Sequence, residues 1–148
     1  MGPTTYIDSP RKESEMEKIL VAYDGTEPSK RALAAAATLG KAFGARLGVV
    51  SVVPRRPGRY PIDPWDDGKV HAEELLEARD LLRADGLEAE LFEPVGDPAE
   101  MIERVAEKGD DDTVVVGASG LGAIGRLLQG SVSEHVATHA SATVVVAR

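Results

Sequence analysis

The chain has 148 residues, no cysteine and a formal net charge of −8 at pH 7. That length suits one domain with its own core. The lack of cysteine excludes disulfides, thiol catalysis and cysteine-ligated metal centres, and the acidic balance argues against nucleic acid and anionic membranes as partners. Because the N-terminal residues are polar and no apolar run reaches about 18 residues, we expect a cytoplasmic protein without a secretory signal or a membrane span.

The first half of the chain alternates strand and helix patterns. Residues 1–17 are predicted to be a disordered tail, and residues 18–148 one domain. The unbroken apolar run from Ile19 to Tyr23 predicts a strand buried on both faces, as in parallel sheets. A helix is predicted over 27–43, with Thr26 as its N-cap and Pro28 in its first turn. A second strand over 47–53, a proline-rich loop over 54–68 and an amphipathic helix over 69–85 follow.

The second half continues this alternation. A third strand is predicted over 87–95, and Asp97, Pro98 and Glu100 predict the cap and first turn of a third helix. A fourth strand over 114–116, a helix over 131–139 and a fifth strand over 143–147 complete the pattern. The nine acidic residues between 90 and 112 are typical of a solvated surface. The order predicts an α/β domain with a parallel sheet, in which ligands bind at the carboxyl ends of the strands.

A glycine-rich segment connects the fourth strand to the helix predicted after it. Five of the fifteen glycines lie between 117 and 130. Glycine allows backbone N–H groups to approach a phosphate closely, and the start of a helix adds unpaired donors and a favourable dipole. Ser131 adds a hydroxyl group. The segment therefore predicts a phosphate-binding loop.

Two common nucleotide motifs fit this segment poorly. The G-x-G-x-x-G spacing at 120–125 is directly followed by no long helix, and no acidic residue occurs after Glu134 to hold a ribose. The spacing at 125–131 is that of a P-loop, but Ser131 stands where the lysine should be. His135 and His139 have zinc-ligand spacing without an evident third ligand. The sequence also predicts no catalytic triad and no carboxylate pair, so no catalytic residue is assigned.

A third pattern, Gly117-x2-Gly120-x9-Gly130-Ser131, resembles the ATP-binding subclass of the universal stress protein family. The resemblance covers residues 18–148. It includes the first strand with its Asp24-Gly25 turn, the Gly-Asp-Pro run at 96–98, the segment 126–134 and the closing valines at 144–146. One departure is Ala118-Ser119, where members often carry Ser-Arg or Ser-His, so one phosphate contact is missing.

The resemblance implies an open five-stranded parallel sheet with helices on both faces, a Rossmann-like three-layer sandwich of the adenine nucleotide α-hydrolase type. It implies ATP as the ligand, with a Mg²⁺ ion that Asp24 would help to hold. The adenosine contacts that it implies are Ala22, Tyr23, Asp24, Val52, Val116 and Gly117. The phosphate contacts that it implies are Gly120, Gly130, Ser131, Val132 and Ser133. It also implies a homodimer, in which the apolar last strand is an edge that a second copy covers.

The function implied by the resemblance is a regulatory or stress-response role with an unidentified protein partner. Strong catalysis is not expected, because the sequence has no fixed lysine, base or arginine finger for phosphoryl transfer, which leaves at most slow ATP hydrolysis. Two alternatives stay open. One is a family member that does not bind nucleotide and acts through protein contacts. The other is an adenylating enzyme that cleaves ATP between the α- and β-phosphates.

Overall fold

The computed structural model describes residues 16–54, 64–118 and 142–148. The helices are α1 (Glu27–Phe43), α2 (Pro64–Ala84) and α3 (Pro98–Lys108). The strands are β1 (Lys18–Ala22), β2 (Arg46–Val50), β3 (Val53–Pro54), β4 (Ala89–Phe92), β5 (Val95–Gly96), β6 (Thr113–Gly117) and β7 (Thr143–Ala147). The helix predicted over 131–139 and most of the glycine-rich segment lie outside the described residues.

Five strands form one parallel sheet in the order β4-β2-β1-β6-β7. The chain moves outward from β1 to β2 and β4, and then crosses back to β6 on the other side of β1. The strand order therefore reverses between β1 and β6. In open α/β sheets, ligands bind in the crevice outside the carboxyl ends of the strands at such a reversal. This confirms the predicted fold class.

Helices cover both faces of the sheet. On one face, Ile19, Val21 and Val49 pack against α1 and α2 in a cluster that includes Ala32 and Leu82. On the other face, the cluster contains residues of β1, β2, β6 and α3, namely Leu20, Ala22, Val50, Ala99, Ile102, Ala106, Val114 and Val116. Successive residues of β1 thus enter opposite cores, which explains why its apolar run has no alternation.

The predicted bounds of one helix and two strands are wrong. Helix α2 begins at Pro64 rather than at residue 69, because proline as the first helical residue forfeits no intrahelical hydrogen bond and its fixed φ suits the helix. The predicted second and third strands are each divided, and their ends form a separate two-stranded sheet of β3 and β5. Pro94 lies between β4 and β5 and has no N–H to continue the ladder of hydrogen bonds. Its carbonyl accepts a hydrogen bond from the Val53 N–H at 2.9 Å.

The acidic run is not solvated along its whole length. Asp111 and Asp112 are both buried, at 8% and 7% exposure. The Asp112 Oδ2 accepts hydrogen bonds from the backbone N–H groups of Glu17 and Lys18, each at 2.9 Å, and its Oδ1 accepts from the Thr113 hydroxyl at 2.8 Å. This carboxylate ties the start of β1 to the start of β6, which is a structural role that charge patterning alone does not reveal.

Within the described parts of the chain, no helix is both long enough and apolar enough to cross a membrane.

Candidate functional site

The candidate site lies where the sheet reverses its order. Asp24 lies just beyond Ala22, the last residue of β1, and Gly117 is the last residue of β6. Because β1 and β6 are parallel neighbours, their carboxyl ends open onto the same crevice. Asp24 and Gly117, which the family resemblance assigns to opposite walls of an adenosine pocket, thus lie at the same edge of the sheet.

Asp24 is held in place by the turn that starts α1. Its Oδ1 accepts hydrogen bonds from the backbone N–H of Thr26 at 3.0 Å and from the Thr26 hydroxyl. The Asp24 N–H donates to the Ser29 Oγ at 3.2 Å. Gly25 has a φ of +79°, a conformation that side-chain-bearing residues rarely adopt. The Thr26 N-cap and this turn therefore hold an exposed carboxylate at the edge of the crevice.

Gly117 is required by packing, independently of any ligand. A Cβ atom on Gly117 would lie 2.3 Å from the carbonyl oxygen of Pro28 and 2.4 Å from its carbonyl carbon. Both atoms belong to the backbone of the first turn of α1, so they cannot rotate away. The glycine lets α1 approach the end of β6, and this role coexists with any contact between its backbone and a nucleotide.

Four other predicted contacts lie at the ends of the central strands. Ala22, Tyr23 and Val116 are at most 5% exposed, with Ala22 and Val116 in the core beneath α3 and Tyr23 in the core beneath α1 and α2. Val52, just beyond β2, is half-buried. The first three therefore offer a ligand little side-chain surface, and any contact that they make would be largely through their backbone.

The predicted phosphate contacts cannot be placed relative to this crevice. Gly120, Gly130, Ser131, Val132 and Ser133 all lie outside the described residues. Of the glycine-rich segment, the structure describes Gly117 and Ala118, whose N–H donates to the carbonyl of Ala147 at 2.9 Å. The assignment of the phosphate loop stays a prediction.

A polar cluster at the end of β2 was not foreseen. The hydroxyl of Ser51, the Nδ1 of His71 and the Oε2 of Glu74 lie within 2.8 to 3.3 Å of one another. Ser51 is fully buried, and the side chains of His71 and Glu74 are only 16% and 17% exposed. A bare nitrogen lone pair facing the carboxylate oxygen would be repulsive, so we infer that Nδ1 carries a hydrogen. The cluster joins α2 to the carboxyl end of β2.

Glu74 also lies beside the turn that carries Asp24 and Gly25. Its Cγ and Cδ lie 3.6 and 3.9 Å from the position that a Cβ on Gly25 would take. Burial and then the charge of Asp24 raise the pKa of Glu74, while His71 and the hydrogen bond from Ser51 act in the opposite direction. The two carboxylates are thus close enough to interact electrostatically.

Tyr23 is a buried tyrosine close to these carboxylates. Its hydroxyl donates a hydrogen bond to the Oε1 of Glu77. Burial, the bond to Glu77 and the charges of Glu77, Glu74 and Asp24 raise the pKa of Tyr23 far above its ordinary value. The phenol therefore stays neutral and acts as a donor, and the carboxyl edge of β1 and β2 is an acidic environment.

One sequence signal pointed toward this cluster. His71 and Glu74 are three residues apart on a helix that the sequence predicts, and such pairs share a helix face. Their third member, Ser51, lies 20 residues before His71. Ser51 contacts His71 and Glu74 because α2 packs over the end of β2. No local spacing in the sequence encodes that packing.

The described residues contain no group of three or more histidine, aspartate or glutamate side chains arranged to hold a metal ion. Asp24 and Glu74 could at most supply ligands to an ion that a bound phosphate also coordinates. The prediction that Asp24 helps to hold Mg²⁺ therefore depends on the nucleotide.

Comparison with known proteins gives a consistent result. The sequence profile of the universal stress protein family matches residues 15–148. A Thermus aquaticus protein named universal stress protein in QAH/OAS sulfhydrylase 3′ region is 36% identical over 143 residues, which cover 88% of this chain and 97% of that protein.

Solved structures share the fold. A universal stress protein in complex with cAMP superimposes with a TM-score of 0.69 at 26% identity, covering 91% of this chain and 99% of that one. A universal stress protein from Archaeoglobus fulgidus in complex with dAMP gives a TM-score of 0.65 at 24% identity, covering 90% and 98% of the two chains.

Proposed function

The chain is a member of the universal stress protein family, and on that premise we propose that it binds ATP in the crevice between the carboxyl ends of β1 and β6. The role that follows is regulatory, in a stress response, through a nucleotide-dependent change that a protein partner detects. Its cytoplasmic location stays a prediction from the sequence.

The observation that carries the proposal is the exposed, fixed carboxylate of Asp24 at the reversal of the strand order. Open α/β sheets bind ligands at that position, and an acidic residue there accepts hydrogen bonds from ribose hydroxyls. The half-buried Val52 borders the same edge at the end of β2. The cAMP and dAMP complexes of two structural neighbours support an adenine nucleotide as the ligand class.

The phosphate half of the proposal rests on the sequence. Gly120, Gly130, Ser131, Val132 and Ser133 supply the backbone N–H groups and hydroxyls that a triphosphate needs. Mg²⁺ bound to the triphosphate would offset part of its charge. We propose ATP rather than a monophosphate because this loop is long and rich in glycine.

A homodimer through β7 is part of the proposal. In the part of the chain that the structure describes, β7 pairs with β6 and with no other strand. Its three valines, Val144 to Val146, are half-buried rather than buried. An uncharged apolar edge of this kind invites pairing with another chain. Sedimentation equilibrium at micromolar concentration should give a dimer mass, and a monomer mass there would refute this part.

The test of nucleotide binding is a calorimetric titration with MgATP. Asp24→Asn should weaken binding about tenfold, since a hydrogen bond to a charged group is worth about 1.5–3 kcal/mol. Asp85→Asn is the matched control, because Asp85 lies just beyond the C-terminal end of α2 and pairs with Lys41 on the surface. Equal affinity of both variants would remove Asp24 from the site.

The two alternatives from the sequence give other outcomes. A protein that acts through contacts alone would show no heat with MgATP once it is confirmed to be free of nucleotide. An adenylating enzyme would release AMP and pyrophosphate on incubation, whereas a binding protein with slow hydrolysis would release ADP and phosphate.

A further inference from the structure

A cavity lies at the edge of the sheet opposite the crevice. It has a volume of about 290 Å³ and is bordered by the amino ends of β1, β2 and β4 and by the last turn of α3. Gly48 leaves part of its floor without a side chain, and Phe92 and Val105 add apolar surface. A volume of this order is at the small end of the range for ligand pockets. The cavity therefore suits a small metabolite, and the nucleotide site proposed above does not include it.

Asp111 places a buried carboxylate in the wall of this cavity. It is 8% exposed, and within residues 16–54, 64–118 and 142–148 no group donates a hydrogen bond to its side chain. Every fully enclosed polar side-chain atom in these ranges has a hydrogen-bond partner. The unpartnered oxygens of Asp111 therefore reach open space, and the cavity that they line is that space. A buried carboxylate needs donors on its oxygens, so this one has room for a donor from outside the chain.

Three cations line the same cavity. Lys18 is engaged by the chain itself, because its Nζ donates a hydrogen bond to the carbonyl of Gly109. Arg46, at the start of β2, and Lys108, at the end of α3, form no ion pair with any residue that the structure describes. A guanidinium group matches a carboxylate with two parallel hydrogen bonds. The cavity thus offers both an acceptor and cations that the fold leaves without partners.

We propose that this cavity binds a free amino acid, whose ammonium group donates to Asp111 and whose carboxylate binds Arg46 and Lys108. A small zwitterion is the ligand class that meets both kinds of group at once. Its side chain would lie over Gly48, against the apolar surface of Phe92. Because this site is at the amino ends of the strands, it does not depend on nucleotide binding at their carboxyl ends.

The electrostatics of Asp111 favour a ligand that carries a positive charge. Burial raises the pKa of Asp111 to about 6. The charge of Lys18 acts in the opposite direction, and the charges of three acidic neighbours raise the pKa, namely Asp112, Glu90 and Asp110. The ionised carboxylate is therefore destabilised in the free protein. An ammonium group relieves this cost, whereas an anion without a donor leaves it in place.

Ligand-observed NMR with an equimolar mixture of the twenty L-amino acids tests the proposal first. Saturation transfer from the protein should identify at least one of them as a ligand. Calorimetry then compares that amino acid with its N-acetyl form, which lacks the ammonium charge, and its amide, which lacks the carboxylate. Each blocked form should bind at least about tenfold more weakly, the effect of losing a hydrogen bond to a charged group.

Substitutions assign each end of the ligand to its protein group. Asp111→Asn keeps the shape of the side chain and should weaken binding of the amino acid about tenfold or more, with little further loss on N-acetylation. Asp110→Asn is the matched control, because Asp110 is an exposed neighbour outside the cavity and the charge change is identical. Arg46→Gln should weaken binding of the amino acid and narrow its advantage over the amide. Arg31→Gln is the control for that change, since Arg31 is exposed on α1, which covers the other face of the sheet.

The outcomes are decisive in either direction. If none of the twenty amino acids shows saturation transfer, or if the N-acetyl form binds as tightly as the amino acid, the proposal is overturned. It is also overturned if Asp111→Asn and Arg46→Gln bind the amino acid as their control variants do. Should Asp111→Asn fail to fold by circular dichroism, the exposed Arg46→Gln decides the matter by the same comparison with the amide.

Discussion

Replacing Gly117 by alanine tests the closest backbone approach at the crevice. The added Cβ would lie 2.3 Å from the Pro28 carbonyl oxygen and 2.8 Å from the Pro28 Cβ. Ordinary carbon–oxygen contact begins at about 3.3 Å, so β6 and the start of α1 would have to separate by about 1 Å. Overpacking that moves backbone costs about 1–3 kcal/mol, and we expect the upper end of that range here.

Gly48→Ala is the matched comparison. Gly48 also lies in a central strand, but its Cβ would meet the ends of two side chains, Phe92 Cε2 at 3.1 Å and Leu20 Cδ1 at 3.3 Å. Such atoms can shift by a few tenths of an ångström, and alanine in a strand regains about 0.5–1 kcal/mol of backbone entropy relative to glycine. We expect a change of less than about 1 kcal/mol for this variant.

Urea unfolding followed by circular dichroism measures both variants. In a chain of this size, about 3 kcal/mol corresponds to a loss of roughly 6–12 °C in Tm, so a thermal scan provides a second reading. A Gly117→Ala protein no less stable than Gly48→Ala would show that α1 is not packed as closely on β6 as the structure has it. The close approach would then no longer explain the glycine.

Three further predictions concern carboxylates and the α1 cap. Asp112→Ala removes a buried carboxylate that accepts from the partly buried backbone N–H groups of Glu17 and Lys18, so urea unfolding should show a loss of about 2–4 kcal/mol. Burial raises the pKa of Asp111 to about 6, above its unfolded value, so its ionisation destabilises the fold above that pH and the penalty disappears as the pH falls from about 7 to 4. Asp111→Asn should therefore stabilise the protein by about 1 kcal/mol at pH 8 and show a flatter stability profile; equal profiles would contradict the assignment. Thr26→Ala removes the N-cap and the hydrogen bond from the Thr26 hydroxyl to Asp24, while the bond from the backbone N–H stays. It should therefore cost about 1 kcal/mol in stability and also weaken MgATP binding.

The fold could be predicted from the sequence because its local signals agree with one another. Apolar runs at Ile19 and Val114 mark strands covered on both faces, and Thr26 and Asp97 each cap a helix as expected. The parallel five-stranded sheet followed from the alternation of elements and from the family resemblance, whereas the strand order is known from the structure. The boundaries at Pro64 and Pro94 were missed, because a proline signals an interruption without showing which element begins or ends there.

The site was only partly predictable. Asp24 and Gly117 could be predicted to lie at the carboxyl ends of two strands, and the structure pairs these strands at the reversal of the sheet. Ser51, His71 and Glu74 were missed, because they come from two elements that meet only after α2 packs over β2. Asp112 was assigned to a solvated run for a similar reason. The N–H groups that it satisfies lie at the start of β1 and just before it, more than 90 residues earlier.

The acidic character of the β1 and β2 ends also fixes how a nucleotide would lie in the crevice. Asp24, Glu74 and Glu77 surround this side, and a phosphate brought within about 4 Å of one carboxylate would be repelled by up to roughly 4 kcal/mol. We therefore expect the nucleoside on this side and the phosphates toward the glycine-rich segment beyond β6.

A competition experiment measures how the nucleoside side and the phosphate side share the binding energy. Adenosine keeps every contact with the acidic side, so it should displace labelled ATP at micromolar to millimolar concentration. Inorganic pyrophosphate keeps only the contacts beyond β6, and at the same concentration it should displace little. Because the two competitors probe opposite halves of the crevice, stronger displacement by pyrophosphate than by adenosine would mean that phosphate contacts dominate the affinity. The acidic side would then contribute selectivity without a large share of the binding energy.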